Sequence, residues 1–407
     1  MHPDAASLWQ GKRWTLAVLL AALATVGPFS IDTFLPAFAG IAAELHASPL
    51  QIQQTLSGYL FGFAFMSLFH GALSDSFGRR PVVIVGLVVF TVASAGCALA
   101  PSIGALVFFR ALQGLSAGAG IVVSRAVVRD MFPPDEAQRV MAQITLFFGV
   151  APAIAPIVGG FLFVHLGWQA VFWFLTLVGG LLLAANWFLL PESLHPTQRQ
   201  PVHLGHLLRG YVQLGTDRRF LLLALASGVP FNGMFLYVLS APAFLGELLH
   251  LEPTQFFWLF LLTIGGIMGG AWTSGRLAGR IPLARQIHIG MGVMLVVSLL
   301  NLGANALWTA QAWWALPPIG LYSFGWALVT PAVTLMVLDL FPQRRGMAAS
   351  LQAFIGALAN GFVAGAISPL VMHSAWLLAL GSLAMMCVGL VAWTVAQRWD
   401  NRAREAG

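Results

Sequence analysis

Charged side chains are scarce in this sequence. Asp, Glu, Lys and Arg together make up 8% of the residues, whereas hydrophobic residues make up 58%. A soluble globular domain carries about 25% charged residues, and a chain with far fewer cannot cover its apolar surface. The composition therefore points away from a soluble enzyme and predicts an all-α integral membrane protein. Helices are favoured over a barrel because the apolar runs are continuous, whereas barrel strands would alternate every second residue.

Other features are also missing. Cys97 and Cys387 are the two cysteines, and both lie in apolar runs, so we expect no disulfide and no metal site. No H-E-x-x-H motif lies in an apolar run and no P-loop occurs, which argues against a membrane-embedded enzyme with catalytic residues and against direct use of ATP. The longest polar connection is too short for the output domain of a receptor. The pI near 10.1 comes without a basic patch interleaved with aromatics, so we expect no nucleic-acid partner.

Twelve apolar runs approach the roughly 20 residues that a helix needs to cross about 30 Å of hydrocarbon. The first follows Lys12-Arg13 and is too long for a signal-peptide core, so it is interpreted as a retained span. The predicted spans are 14–40, 51–73, 81–100, 102–128, 138–163, 167–190, 218–245, 254–276, 285–304, 312–338, 346–371 and 375–397.

Basic residues orient these spans. Of the 20 Lys and Arg residues, all but Arg110 and Arg125 fall in the connections or termini on one side. Because positive charge marks the cytoplasmic side, we expect both termini in the cytoplasm of a multi-pass protein.

The chain falls into two similar halves. The longest polar connection, 191–217, separates a predicted six-helix bundle at 1–190 from a second one at 218–407 and is interpreted as a cytoplasmic linker. DMFP after the fourth span is echoed by DLFP after the tenth, and the PAF that ends span one is echoed at the end of span seven. Parallel repeats of this kind are typical of secondary transporters.

The connection between spans two and three reads GALSDSFGRRPV. It resembles the G-x-L-x-D-x-x-G-R-R/K signature of the major facilitator superfamily at Gly71, Asp75, Gly78, Arg79 and Arg80. The glycines allow a tight turn, and we expect Asp75 to cap a helix N-terminus. A degenerate copy, GRLAGRIP, lies in the second half without the Asp.

Two further stretches are similar to family signatures. LVFFRALQGLSAGAG in span four carries Arg110, and GVAPAIAPIVGG in span five resembles the antiporter signature, although Ala155 stands where the general pattern has Gly. The antiporter positions that remain are Pro152, Pro156, Gly159 and Gly160. Together with SIDTFLP in span one and RAVVRD at the end of span four, the pattern resembles the bicyclomycin/chloramphenicol-resistance (Bcr/CflA-type) drug:proton antiporters.

This resemblance implies the major facilitator fold, with twelve transmembrane helices in two pseudo-symmetric bundles and spans one, four, seven and ten around a cavity. It also implies export of small hydrophobic drug-like substrates in exchange for protons across a bacterial inner membrane. We expect a monomer in the lipid bilayer, with no cofactor and the proton as coupling ion. A proton-coupled exporter of a metabolite or amino acid, or a sugar symporter, remains the alternative.

Asp32 is the one charged residue in its apolar run. A charge in the bilayer costs about 3 kcal/mol or more unless it faces water or a partner, so we expect Asp32 to face inward. At about 1.5 Å per residue, Asp32 and Arg110 both lie about 12 Å below the outer ends of their spans. We predict that Asp32 is the proton-coupling and substrate-contacting carboxylate and that Arg110 tunes it; a fixed salt bridge between the two is the competing interpretation.

Other site residues are predicted from position. Tyr59 in span two, and Asn232 and Tyr237 in span seven, are substrate-binding candidates because aromatic bodies with polar tips suit varied apolar ligands; ordinary helix packing is the alternative. The resemblance also implies a cytoplasmic gate in which Arg79 pairs with Asp130 and Asp75 faces the start of span eleven. The gate and loop residues are Gly71, Asp75, Gly78, Arg79, Arg80, Arg129 and Asp130.

Overall fold

A computed structural model describes residues 13–132, 134–199, 204–277, 280–341 and 344–405. Within these ranges the chain is helical and contains no strand. It divides into two compact units at Leu204 and Gly205, a boundary inside the predicted linker.

Among the residues that the structure describes, the first unit contains eight helices. They are α1 (Arg13–Asp32), α2 (Phe38–Glu44), α3 (Pro49–Ser67), α4 (His70–Phe77), α5 (Arg79–Ala98), α6 (Ile103–Met131), α7 (Pro134–Leu166) and α8 (Trp168–Leu189). Short 3-10 turns follow α1 at Leu35–Ala37 and precede the second unit at Pro196–Gln198.

The second unit begins with a linker helix. Its helices are α9 (Leu204–Gly215), α10 (Arg218–Leu239), α11 (Phe257–Leu277), α12 (Leu283–Leu307), α13 (Ala312–Ala315), α14 (Pro317–Leu340), α15 (Arg345–Phe362), α16 (Ser368–Val371) and α17 (Ala375–Glu405). Wider π-helical turns extend α10 and α15 at Pro242–Leu248 and Val363–Ile367, and a 3-10 turn lies at Pro253–Gln255.

Each predicted span coincides with one helix or with two consecutive helices. Among the described residues, ten helical segments are long and apolar enough to cross a membrane, and the pair α3–α4, bent by 48°, makes an eleventh. The remaining prediction, 138–163, coincides with α7, of which the described apolar part is Pro152–Leu166. The helical membrane fold is therefore confirmed, while the count of twelve crossings stays a prediction.

Local sequence sets the helix boundaries. Ser48 caps α3 by accepting from Gln51 N, with the reciprocal bond from Ser48 N to the Gln51 side chain; this capping box satisfies two N–H groups at the helix start. Asp217 caps α10, because its Oδ1 accepts from Phe220 N at 2.8 Å. Gly78 has φ +103°, a backbone conformation that other residues rarely adopt, and it separates α4 from α5.

Glycines bring the helices of the first unit into backbone contact. A Cβ at Gly114 of α6 would overlap the carbonyl of Tyr59 in α3, and one at Gly159 of α7 would overlap the carbonyl of Thr33 at the end of α1. Small residues at helix crossings are typical of membrane bundles, where close van der Waals packing replaces the hydrophobic effect between helices. These crossings surround the end of α1 that carries Asp32.

Candidate functional site

Asp32 is the last residue of α1 and is buried, although it lies in line with the more accessible side of that helix. The half-buried or exposed positions Val18, Ala22, Thr25 and Phe29 recur every three or four residues and lead to it, so they lie on one side of the helix. Asp32 itself is 5% exposed. The carboxylate is therefore enclosed by protein and is not exposed on the outer surface of the bundle.

Arg110 is buried in an aromatic cage. Its guanidinium carbon lies 4.7 Å from the ring centre of Phe34 and 4.5 Å from that of Tyr59, and its side chain has no exposed surface. Nη1 donates to Ser30 O at 3.3 Å and to Gln113 Oε1 at 2.6 Å. Cation–π contacts with two desolvated rings stabilise the positive charge, which forms no ion pair with a carboxylate of the described residues.

Two donors of Arg110, Nε and Nη2, are buried without a hydrogen-bond partner. Asp32 and Arg110 do not form an ion pair in the described structure, so the fixed salt bridge that competed with the coupling hypothesis is absent. Burying a charged group without full pairing costs free energy. Arg110 is therefore a buried cation whose hydrogen bonds are incomplete, and Asp32 is a buried carboxylate without an ion-pair partner in the described structure. Protonation of Asp32, or a new partner for Arg110, would lower the free energy of this site.

Tyr59 belongs to the wall of this site. Its hydroxyl donates to Gly27 O at 2.9 Å and accepts from Ser30 Oγ at 3.1 Å. The residue has no exposed surface. It thus joins α3 to α1 and supports Arg110; its predicted contact with substrate stays a prediction.

The two candidates in α10 are also buried. Asn232 Nδ2 donates to Gly228 O at 3.1 Å, and its Oδ1 has no partner. Tyr237 is 3% exposed, and its hydroxyl accepts from Asn301 Nδ2 at 2.8 Å. In this conformation both side chains are packed between helices, and their substrate contact likewise stays a prediction.

An accessible aromatic wall in the second unit was not predicted. Phe231 lies 4.9 Å from Trp326 and 5.1 Å from Phe235, centre to centre, and all three are partly exposed. Beside them, Gln352 Nε2 donates to Ser227 Oγ at 3.1 Å. The four-residue spacing of Phe231 and Phe235 is visible in the sequence, but among 30 Phe and 14 Trp residues it does not stand out.

The loop motif forms a clamp centred on Arg79. Its Nε donates to Asp130 Oδ2 at 3.0 Å, while Nη1 donates to Ser74 Oγ at 2.7 Å and to Asp75 Oδ1. The predicted contact of Arg79 with Asp130 is present. The contact of Asp75 with span eleven stays a prediction, and the side chain of Arg129 lies outside the described residues.

Glu192, not Asp75, caps the helix that follows the motif. Glu192 Oε1 accepts from Arg79 N at 2.9 Å and Oε2 accepts from Arg80 N at 3.3 Å. The expectation for Asp75 was wrong because Asp75 lies in the last turn of α4, where its carboxylate meets the Arg79 side chain. A Cβ at Gly78 would overlap the Glu192 carboxylate, so glycine is required there for contact as well as for φ.

Further contacts complete the clamp. Ser193 Oγ donates to Asp130 Oδ2 at 3.0 Å, and Arg80 Nη2 donates to Trp187 O. Gly71 faces Val122 of α6. The start of the linker thus binds the same carboxylate as Arg79, which the sequence motif alone did not indicate.

The antiporter stretch lies in α7. Pro152 and Pro156 are inside this helix, and Gly159 and Gly160 are both buried. Gly159 packs on the backbone of Thr33, the neighbour of Asp32. Span five therefore contacts span one directly beside the carboxylate.

Two bundles of long apolar helices, one of them enclosing a buried acid and a caged arginine, define a polytopic membrane protein of the secondary-transporter class. The family model described as Major Facilitator Superfamily matches residues 18–364. The chain belongs to this superfamily.

Sequence relatives include a bicyclomycin resistance protein homolog of Haemophilus influenzae. It is 30% identical over 301 residues, which are 72% of this chain and 76% of the relative. Multidrug resistance protein D of Escherichia coli is 28% identical, with 86% of this chain and 87% of the relative covered.

Solved structures support the fold. A peptide transporter POT crystallised with sulfate gives a TM-score of 0.77 at 15% identity, covering 98% of this chain and 97% of that chain. A D-xylose–proton symporter gives 0.66 at 16% identity, covering 93% and 97%. At these identities the likeness concerns the fold alone.

Proposed function

We propose that this protein exports small hydrophobic drug-like molecules across the bacterial inner membrane in exchange for protons, by alternating access. The observation that carries the proposal is Asp32, a buried carboxylate at the end of α1, the helix whose Ser30 carbonyl accepts a hydrogen bond from Arg110. Asp32 and Arg110 are not paired in the described structure. The sequence relatives named for bicyclomycin and multidrug resistance favour drugs over a metabolite or amino acid as substrate.

Asp32 is the proton-coupling group in this scheme. Its charge is costly in an apolar bundle, so a proton from outside neutralises it and favours substrate release. Loss of that proton to the cytoplasm restores the charge, which the cation Arg110 stabilises when its two unpartnered donors reach the carboxylate. One proton moving down about 150 mV supplies about 3.5 kcal/mol, enough for export of a neutral drug against a gradient of several hundredfold.

The clamp around Arg79 is the cytoplasmic gate in the same scheme. Its ion pairs with Asp130 and Asp75 join the ends of α5, α6 and α4. Breaking them would loosen the cytoplasmic end of the first unit. The antiporter stretch of α7 has a separate role in this scheme. Its residues Pro152 and Pro156 and the contact of Gly159 with Thr33 support tight packing of span five against span one.

The remaining features follow the same reasoning. Both termini lie in the cytoplasm, because the basic residues gather at that side. The transporter works as a monomer, its outer apolar surface contacts the lipid bilayer, and the proton is its coupling ion, with no cofactor in the cycle.

The test replaces Asp32 by asparagine. Purified Asp32→Asn in proteoliposomes should keep its thermal stability, because a costly buried charge is removed, but should lose export driven by a pH gradient. Glu252→Gln, an equivalent change in an exposed loop, should keep both. Bicyclomycin, chloramphenicol and an amino-acid mixture serve as substrates; full pH-driven export by Asp32→Asn would refute the role of Asp32, and export of amino acids alone would refute the drug assignment.

A further inference from the structure

The linker helix α9 is fixed to the second unit by one face. Tyr211 and Leu214 are 9% and 2% exposed, and Gly210 lies directly against the thioether of Met347 at the start of α15. At the next turn, Arg344 Nη1 donates to Gln213 Oε1 at 2.7 Å. The helix is therefore a docked element of the bundle and not a loose connection.

The opposite face of α9 is apolar and basic. Leu208 is 51% exposed and Val212 is 64% exposed. They lie four residues apart, and the exposed Arg209 stands beside Leu208, so the three share one side of the helix. Large apolar side chains in water forgo about 25 cal/mol for each Å² left unburied, and this face therefore favours a partner that is both apolar and anionic.

The position of α9 supplies such a partner. The helix ends at Gly215, and span seven begins at Arg218, so α9 lies within a few residues of the membrane surface. The segment 204–216 contains no acidic residue, and the next carboxylate, Asp217, caps α10. A short helix with an apolar and basic face at this depth matches the interfacial helices that lie among lipid headgroups.

We propose that Leu208, Arg209 and Val212 bind the cytoplasmic leaflet, with the two apolar side chains at the acyl boundary and Arg209 on the phosphate of an anionic phospholipid. The leaflet is anionic, and each basic residue near it strengthens binding about fivefold, the fold-change that corresponds to about 1 kcal/mol. This inference uses the predicted orientation of the spans but does not depend on what the protein transports.

The experiment measures the depth of α9 directly. Cys97 and Cys387 are replaced by alanine, and a nitroxide label is placed through Val212→Cys or, in a second variant, Leu208→Cys; both sites are exposed, so folding should persist. In phosphatidylcholine vesicles containing phosphatidylglycerol, the labels should collide with oxygen more than with a water-soluble nickel complex. A control label at the exposed linker residue Thr197 should show the reverse.

Charge specificity is tested with matched arginine variants. Arg209→Gln should lower the protection of the Val212→Cys label about fivefold in the anionic vesicles and abolish the difference from pure phosphatidylcholine. Arg280→Gln, which removes an exposed charge from another connection, should leave that difference intact. Labels at Leu208 and Val212 that are as water-accessible as the one at Thr197 would overturn the proposal, as would an Arg209→Gln variant that keeps the full difference between anionic and pure phosphatidylcholine vesicles. Neither measurement depends on drug transport, so failure of this proposal can be distinguished from failure of the proposed function.

Discussion

Replacing Glu192 by alanine tests whether this residue, which the loop motif did not indicate, stabilises the clamp around Arg79. The side chain accepts three backbone N–H bonds: from Arg79 at 2.9 Å, from Arg80 at 3.3 Å and from Leu194 at 3.0 Å. It is also the negative charge at the N-terminus of α5. In the Glu192→Ala variant these three N–H groups bond to water or have no hydrogen-bond acceptor.

The magnitude follows from the geometry. Hydrogen bonds to a charged acceptor contribute about 1.5–3 kcal/mol each, but Glu192 is partly exposed, and its bond to Arg80 N is long. With the helix-dipole contribution of about 0.3–1 kcal/mol, we expect a total loss of about 2–4 kcal/mol. Glu192→Gln keeps the oxygen that serves Arg79 N and Leu194 N, and should lose about 1 kcal/mol.

The assay is thermal unfolding of the purified protein in detergent, at one scan rate because membrane proteins unfold irreversibly. At about 2 °C per kcal/mol for a large chain, Glu192→Ala should lower the apparent Tm by about 4–8 °C and Glu192→Gln by about 2 °C. The control is Glu247→Ala, which breaks an exposed pair with His373 and should change Tm by less than about 2 °C.

The order of the variants decides the outcome. If the apparent Tm of Glu192→Ala equals that of the wild type, Glu192 is not a cap in the folded protein, and the clamp consists of Arg79 and the two aspartates alone. If alanine and glutamine lower Tm equally, the negative charge rather than the backbone hydrogen bonds is what stabilises the clamp.

Further predictions concern the buried site. Gly159→Ala forces a methyl group against Thr33 O, so it should lower Tm by several degrees through overpacking of about 1–3 kcal/mol, while Gly104→Ala, with open space around it, should be neutral or stabilising; equal Tm values for both would refute the close approach. Tyr59→Phe keeps the ring beneath Arg110 and should keep proton-driven uptake into inverted vesicles, whereas Tyr59→Leu removes the cation–π contact and should reduce it at least tenfold. Similar uptake by the two Tyr59 variants would show that the ring does not support Arg110.

The sequence was sufficient for the architecture. The sequence predicted a helical membrane bundle and its superfamily from three features: apolar runs of membrane-spanning length, Lys and Arg on one side, and the loop motif. These features could be found because hydropathy and charge are properties of consecutive residues and do not depend on neighbours in space. The same linear logic found Asp32 and Arg110, since a charge in an apolar run is conspicuous wherever its helix packs.

The partners of these residues came only from tertiary structure. Matched depth suggested an Asp32–Arg110 pair, yet Arg110 lies between Phe34 and Tyr59, because depth along a helix says nothing about its rotation or about which neighbour it crosses. In the same way Glu192, more than a hundred residues from Arg79, caps α5 in place of Asp75. Hydropathy fixes where each helix meets the membrane, but contacts between helices depend on rotation and close packing at glycines, and those exist only once the bundle has formed.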